Sequence, residues 1–108
     1  MDPHRRAEQR SLAYHRIVAQ RLQRDSAVLE RARGRVRAWL TSKASAPAEA
    51  EAWEAVLGRD ADEIARFLVE DSAAARALRQ SSPFAGALSP RERWRVWRET
   101  REPGGRAV

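Results

Sequence analysis

Bulky apolar residues in this chain recur three and four positions apart, and nowhere do they alternate with polar ones. Such spacing lines one side of an α-helix, whereas a half-buried strand needs a period of two. β-Branched residues never cluster, so the side chains that favour strands are not brought together. The expected fold is therefore all-α, a compact bundle of about five helices. With 108 residues the chain is expected to form a single helical domain over residues 1–102, followed by a disordered tail over 103–108. A domain of this length buries a limited core, and aromatic residues make up only 6% of it. Each bulky side chain is expected to have a definite place.

The first helix is expected from about Arg6 or Glu8 to Gln23, with a main stripe of Leu12, His15, Val18, Ala19 and Leu22. Ile17, with Ala13 beside it, falls on the opposite side. The helix is therefore either covered by two layers or presents Ile17 to a partner. Asp25 or Ser26 caps a second helix that carries Leu29, Ala32, Val36, Trp39 and Leu40 at helical spacing. Arg31 and Arg35 flank that stripe on one side, and Arg33 and Arg37 flank it on the other. Their methylene stems are expected to line the core edge, with the guanidinium groups in water.

Residues 41–48 read as a loop, with Pro47 near the start of a short third helix. That helix turns Trp53, Val56 and Leu57 to one face and ends at Gly58. Asp60, with Glu63 three residues on, starts a fourth helix carrying Ile64, Phe67 and Leu68. Its phase holds from Ala61 to Leu78, which favours one long helix ending near Gln80. The alternative is a break, with Asp71 or Ser72 capping a new helix. Ser81–Leu88 is a loop with Pro83 and Gly86. Ser89, Pro90 and Glu92 then form a capping box with proline at the first helical position, opening a last helix that carries Trp94 and Trp97.

The 21 basic residues are almost all arginine, Lys43 being the only lysine, and they outnumber 15 acidic residues to give a net charge of +6. An arginine- and alanine-rich composition is what a GC-rich genome produces, but their order along the chain is not explained that way. Residues 1–43 carry a net +7, residues 44–75 a net −6 and residues 76–108 a net +5. Such blocks suit a basic helix docked on an acidic one, or opposed surface patches that meet partners.

The absence of cysteine excludes disulfides and thiolate metal sites. No apolar run approaches a membrane span, and MDPHRRAEQR lacks the apolar core of a signal peptide. A cytoplasmic protein with no membrane association is expected. His4 and His15 stand in no metal-binding spacing, and neither a phosphate loop nor a nucleophile elbow is present. A non-enzyme without metal or cofactor is the expectation.

Two groups of residues stand out. His15 lies on the apolar stripe of the first helix, where one hydrogen bond would satisfy it. Asp71, on the face of Ile64 if the fourth helix is continuous, would need a buried partner. A His15–Asp71 pair across the core would satisfy both. The second group is the tract from Ser81 to Trp97. Phe84 either folds back as a plug over the helix ends or joins an exposed surface. In the latter case Ser81, Ser82, Phe84, Trp94 and Trp97, rimmed by Arg91, Arg93, Arg95 and Arg98, form a partner-binding surface. Tryptophan and arginine are enriched at interface hot spots and are also what single-stranded nucleic acid stacks on.

The segments RSLAYHRIVAQRL (residues 10–22) and VEDSAAARALRQSSPFAGALSPRERWRVWRE (residues 69–99) resemble a family of small bacterial helical proteins found in toxin–antitoxin gene pairs. In those pairs the family is the antitoxin-like member beside a nucleotidyltransferase-like toxin. The resemblance implies a cytoplasmic helical protein that neutralises a toxin-like protein partner by direct contact, with the tract from Arg79 to Trp94 as the shared feature. The residues themselves also fit an arginine-rich nucleic-acid-binding protein, which in an antitoxin would act as an operon autorepressor. Against this, the acidic middle block interrupts a simple basic face, and the turn at Arg24–Asp25 lacks the glycine usual in a helix-turn-helix.

Overall fold

The computed structural model describes residues 3–42 and 48–100. Within them the chain is helical with no strand: α1 (Pro3–Leu22), α2 (Ser26–Thr41), α3 (Ala50–Leu57), α4 (Ala61–Leu68), α5 (Ala73–Arg79) and α6 (Pro90–Glu99). Pro47, the tail at 103–108 and the side chain of His4 lie outside the described residues. Helix α1 is the central element, touching α2, α4, α5 and α6, while α2 leans on α3. That placement explains its two apolar sides. His15, Val18, Ala19 and Leu22 are buried, and Ala13, Tyr14 and Ile17 pack against the core from the flank.

Local signals set most helix ends. The Asp25 carboxylate accepts from the Ala27 N–H at 3.0 Å, and Asp60 accepts from the Glu63 N–H at 2.9 Å, so both act as N-caps. Gly58 follows α3 with a right-handed φ of −81°, donating its N–H to carbonyls of the last turn.

The long fourth helix expected from the unbroken phase is two helices. Helical continuity fails at Val69, which closes α4, and Ser72 starts α5 by accepting from the Ala75 N–H at 3.1 Å. The carbonyls released by the break are collected by Arg79, whose Nη1 donates to Leu68 O at 3.2 Å and Glu70 O at 2.9 Å. Satisfying those groups makes the break tolerable inside the bundle. Ala75 and Leu78 return to the core after it, so the apolar phase survives although the helix does not.

The largest fully buried side chains are Trp53, Phe84, Ile64, Leu68, Val18 and Val28. Phe84 is therefore the plug, at 1% exposure, and not part of an exposed surface. Its ring meets Trp53 edge-on at 6.1 Å and His15 at 6.4 Å, and Trp53 meets Phe67 at 6.2 Å. Gly86, with φ +83°, adopts a left-handed conformation that side-chain-bearing residues avoid, turning the loop so that Phe84 and Leu88 both point inward. Removing the Phe84 ring would leave a cavity between three helices. In urea denaturation, Phe84→Ala is expected to cost about 3–5 kcal/mol, whereas Trp94→Ala on the surface changes stability by about 0.5 kcal/mol or less. Equal effects of the two substitutions would contradict this assignment.

Candidate functional site

The predicted site residues divide into an inward set on the loop and an outward set on α6. Ser82 is half-buried and tied to the core, its Oγ lying 2.7 Å from His15 Nε2. His15 Nδ1 lies 2.7 Å from Ser11 O, and a carbonyl only accepts, so Nδ1 carries the proton. Nε2 is then the acceptor and Ser82 the donor, while Ser82 Oγ accepts in turn from the Phe84 N–H at 3.1 Å. Tyr14 donates to Phe84 O at 2.7 Å, and Trp53 Nε1 donates to Leu78 O at 3.1 Å. Ser81 is half-buried at the end of α5. These contacts hold the loop against α1 and α3.

The proposed His15–Asp71 pair is not formed. His15 is buried and satisfied by Ser11 and Ser82, whereas the Asp71 side chain is 92% exposed and reaches only Arg76, at 3.7 Å. The break between α4 and α5 moves Asp71 off the inner face, which removes the premise of the pairing.

His15 and Ser82 have the spacing of a base and a nucleophile. Burial pushes the His15 pKa down from 6.5 to about 4, the hydrogen bond to the Ser11 carbonyl opposes that shift, and the nearby Arg79 charge reinforces it. A base so far below neutrality is poorly matched to proton transfer there, and the Ser82 hydroxyl is already held by the Phe84 N–H. The arrangement suits a fixed strut.

Helix α6 is built differently. Ser89 and Glu92 form the expected reciprocal capping box, with Pro90 at the first helical position. Glu92 also grips α1: its Oε1 accepts from Arg21 Nη1 at 3.0 Å, and Oε2 pairs with Arg21 Nη2. Arg21 and then the Ser89 N–H hold the Glu92 carboxyl down from 4.5 to about 2. At the other end Arg10 Nε approaches Thr100 Oγ1 at 3.5 Å. Val96 is the single buried residue of α6.

Trp94 and Trp97 lie away from the buried side of α6. Trp94 is 55% exposed and Trp97 37%, and their rings stack at 5.1 Å with planes 15° apart. Arg10 sits 5.6 Å from the Trp97 ring centre, a cation–π contact that draws α1 into the surface. Arg91 and Arg98 flank Trp94 at positions i−3 and i+4 on the outer face. Arg93 and Arg95 lie to either side, and all four arginines are exposed. The structure thus brings Trp94, Trp97 and the arginines together and separates Phe84 and Ser82 from them. Arg10 was missed from sequence because nothing local distinguishes it among the other arginines. Among the described residues no helix is long and apolar enough to cross a membrane.

Compared with known proteins, the chain matches no protein-family model, no curated protein and no solved structure.

The buried histidine gives a pH dependence of defined sign. His15 is neutral in the fold, and its folded pKa lies below its unfolded one, so between 6.5 and about 4 the unfolded chain binds the extra proton. Stability is expected to fall as pH drops through that window, by up to roughly 3 kcal/mol from this group. Glu92, also depressed, loses its contribution in a lower window, from 4.5 towards 2. Urea midpoints measured against pH check this. His15→Gln should flatten the upper window and leave the lower one, and an unchanged upper slope would contradict the assignment.

Proposed function

We propose that this chain is a non-catalytic, cytoplasmic protein-binding regulator, an antitoxin-like protein that neutralises a toxin-like partner through the outer face of α6. The observation that carries the reading is the Trp94–Trp97 stack, with Trp94 more than half exposed, on a helix anchored by one buried apolar residue. An indole can bury about 150–250 Å², and at ~25 cal/mol per Å² the exposed parts of two such rings represent a few kcal/mol of unrealised desolvation. The surrounding arginines favour a partner that brings carboxylates around an apolar slot. Opposite charges of that kind speed encounter and set orientation. Residues 10–22 and 69–99, which carry the resemblance to antitoxin-like proteins, are the segments that meet through His15–Ser82, Tyr14–Phe84 and Arg21–Glu92. That resemblance supports a nucleotidyltransferase-like toxin as the partner.

The exposed arginines also favour a second reading, nucleic-acid binding with autorepression of an operon. The mutual stacking of the indoles weighs against it, since each ring face turned to its neighbour is closed to a base. Binding to DNA or RNA should weaken steeply with salt if this second reading holds.

Co-expression with the product of the adjacent gene tests the first reading. The neighbour should be toxic alone, be silenced by this protein and copurify with it. Trp94→Ala/Trp97→Ala should keep its fold by circular dichroism and lose binding at least tenfold, as hot-spot truncation does. A neutral neighbour, a missing complex or a fully active double variant would overturn the proposal.

A further inference from the structure

A cleft of ≈ 400 Å³ opens between α1 and α5, lined by Ala7, Glu8, Ser11, Arg76, Arg79 and Gln80. Its volume falls in the ~300–1,000 Å³ range of small-molecule sites. Two helix faces build it. Ala7 and Glu8 stand one turn before Ser11 on α1, and Arg76 stands one turn before Arg79 and Gln80 at the end of α5.

Arg79 is the unusual member. It is 6% exposed, yet among the described residues no carboxylate comes within 4 Å of its guanidinium. Its Nη1 is occupied by Leu68 O and Glu70 O, and among the described residues no acceptor meets Nε or Nη2. Capping α4 thus accounts for one nitrogen of three. Burying a cation with no carboxylate in contact is costly; Arg76 adds to that cost, while Asp71, Glu8 and Glu70 offset it from beyond contact distance. Arg76 is held only by a long contact to the exposed Asp71, an ion pair of little strength in water. Ser11 Oγ lies 3.4 Å from the protonated His15 Nδ1 and acts as an acceptor there, so its own O–H is available to the cleft.

We propose that this cleft binds a small phosphorylated molecule carrying hydroxyl groups, with its phosphoryl oxygens on Arg79, Arg76 and Ser11. The guanidinium fork matches phosphate oxygens in geometry and charge. Glu8 gives the site its second requirement. A carboxylate on the wall repels a bare dianion but accepts hydrogen bonds from hydroxyls, so a sugar phosphate fits better than inorganic phosphate. Gln80, able both to donate and to accept, suits the junction between the two halves.

Titration of the full chain with inorganic phosphate, ribose 5-phosphate and ribose, followed by NMR of the arginine Nε–H groups and backbone amides, tests this. Ribose 5-phosphate should shift the signals of Arg76, Arg79 and Ser11, bind more tightly than inorganic phosphate, and leave ribose without effect. Because Arg79 caps α4, the variants avoid it. Arg76→Glu should keep the melting temperature and weaken ribose 5-phosphate about tenfold or more, as loss of a charged hydrogen bond does. Glu8→Gln should tighten inorganic phosphate. The proposal is overturned if ribose 5-phosphate at about 10 mM, enough to reveal even millimolar affinity, leaves Arg79 unshifted. Shifts confined to Arg91, Arg93, Arg95 and Arg98, or unchanged affinity in Arg76→Glu, would overturn it equally.

Discussion

Seating Phe84 in the core means burying part of the loop that carries it, and a buried loop must find partners for its backbone groups. Ser82 caps the Phe84 N–H and is itself fixed by His15, while Tyr14 takes the Phe84 carbonyl. Trp53 serves twice, packing its ring on Phe84 and donating to Leu78 at the end of α5. The central helix, the acidic third helix and the loop are thereby joined around one aromatic side chain. For so small a domain, with few bulky residues, this junction supplies much of the tertiary specificity.

What the junction fixes is the direction in which α6 leaves the core. Leu88 is buried, Ser89 opens the helix, and Glu92 meets Arg21 on α1, so Val96 faces inward and Trp94 faces out. The tryptophans of the chain therefore have separate tasks. Trp53 belongs to the interior, whereas Trp94 and Trp97 stack on each other at the surface among arginines. Charge follows a related division. The cross-helix pair Arg21–Glu92 links two basic segments, and Arg33 of α2 donates to the Leu57 carbonyl in place of an acidic side chain of α3. The basic and acidic blocks thus remain largely outward-facing.

Features encoded by neighbours in sequence were legible before the structure. The period of three and four residues gave the all-helical class, and Asp25, Asp60 and Ser89 marked real helix starts because a cap is a local interaction. The α4–α5 break was not decided by local signals, since Ser72 and a continuous phase pointed in opposite directions. Arg79, seven residues beyond Ser72, tips the balance by donating to the freed carbonyls of Leu68 and Glu70, and an arginine in an arginine-rich chain carries no mark of that task. His15–Ser82 spans 67 positions and Arg21–Glu92 spans 71, so neither pairing was readable from spacing. The candidate surface was half legible: the tryptophan and arginine residues of α6 are outside, and Phe84, with an equally apolar ring in a loop, is inside.

Hydrogen exchange of the four indole N–H groups, followed by NMR on the isolated protein, measures this division of the aromatic residues directly. Trp53 Nε1–H, bonded to Leu78 O beneath the Phe84 ring, should exchange only when the whole domain opens. Trp94 Nε1–H should exchange at close to the rate of an unstructured chain. Trp53 exchanging as fast as Trp94 would mean that the loop does not lock the core, and Trp94 protected as strongly as Trp53 would mean that α6 presents no free aromatic face.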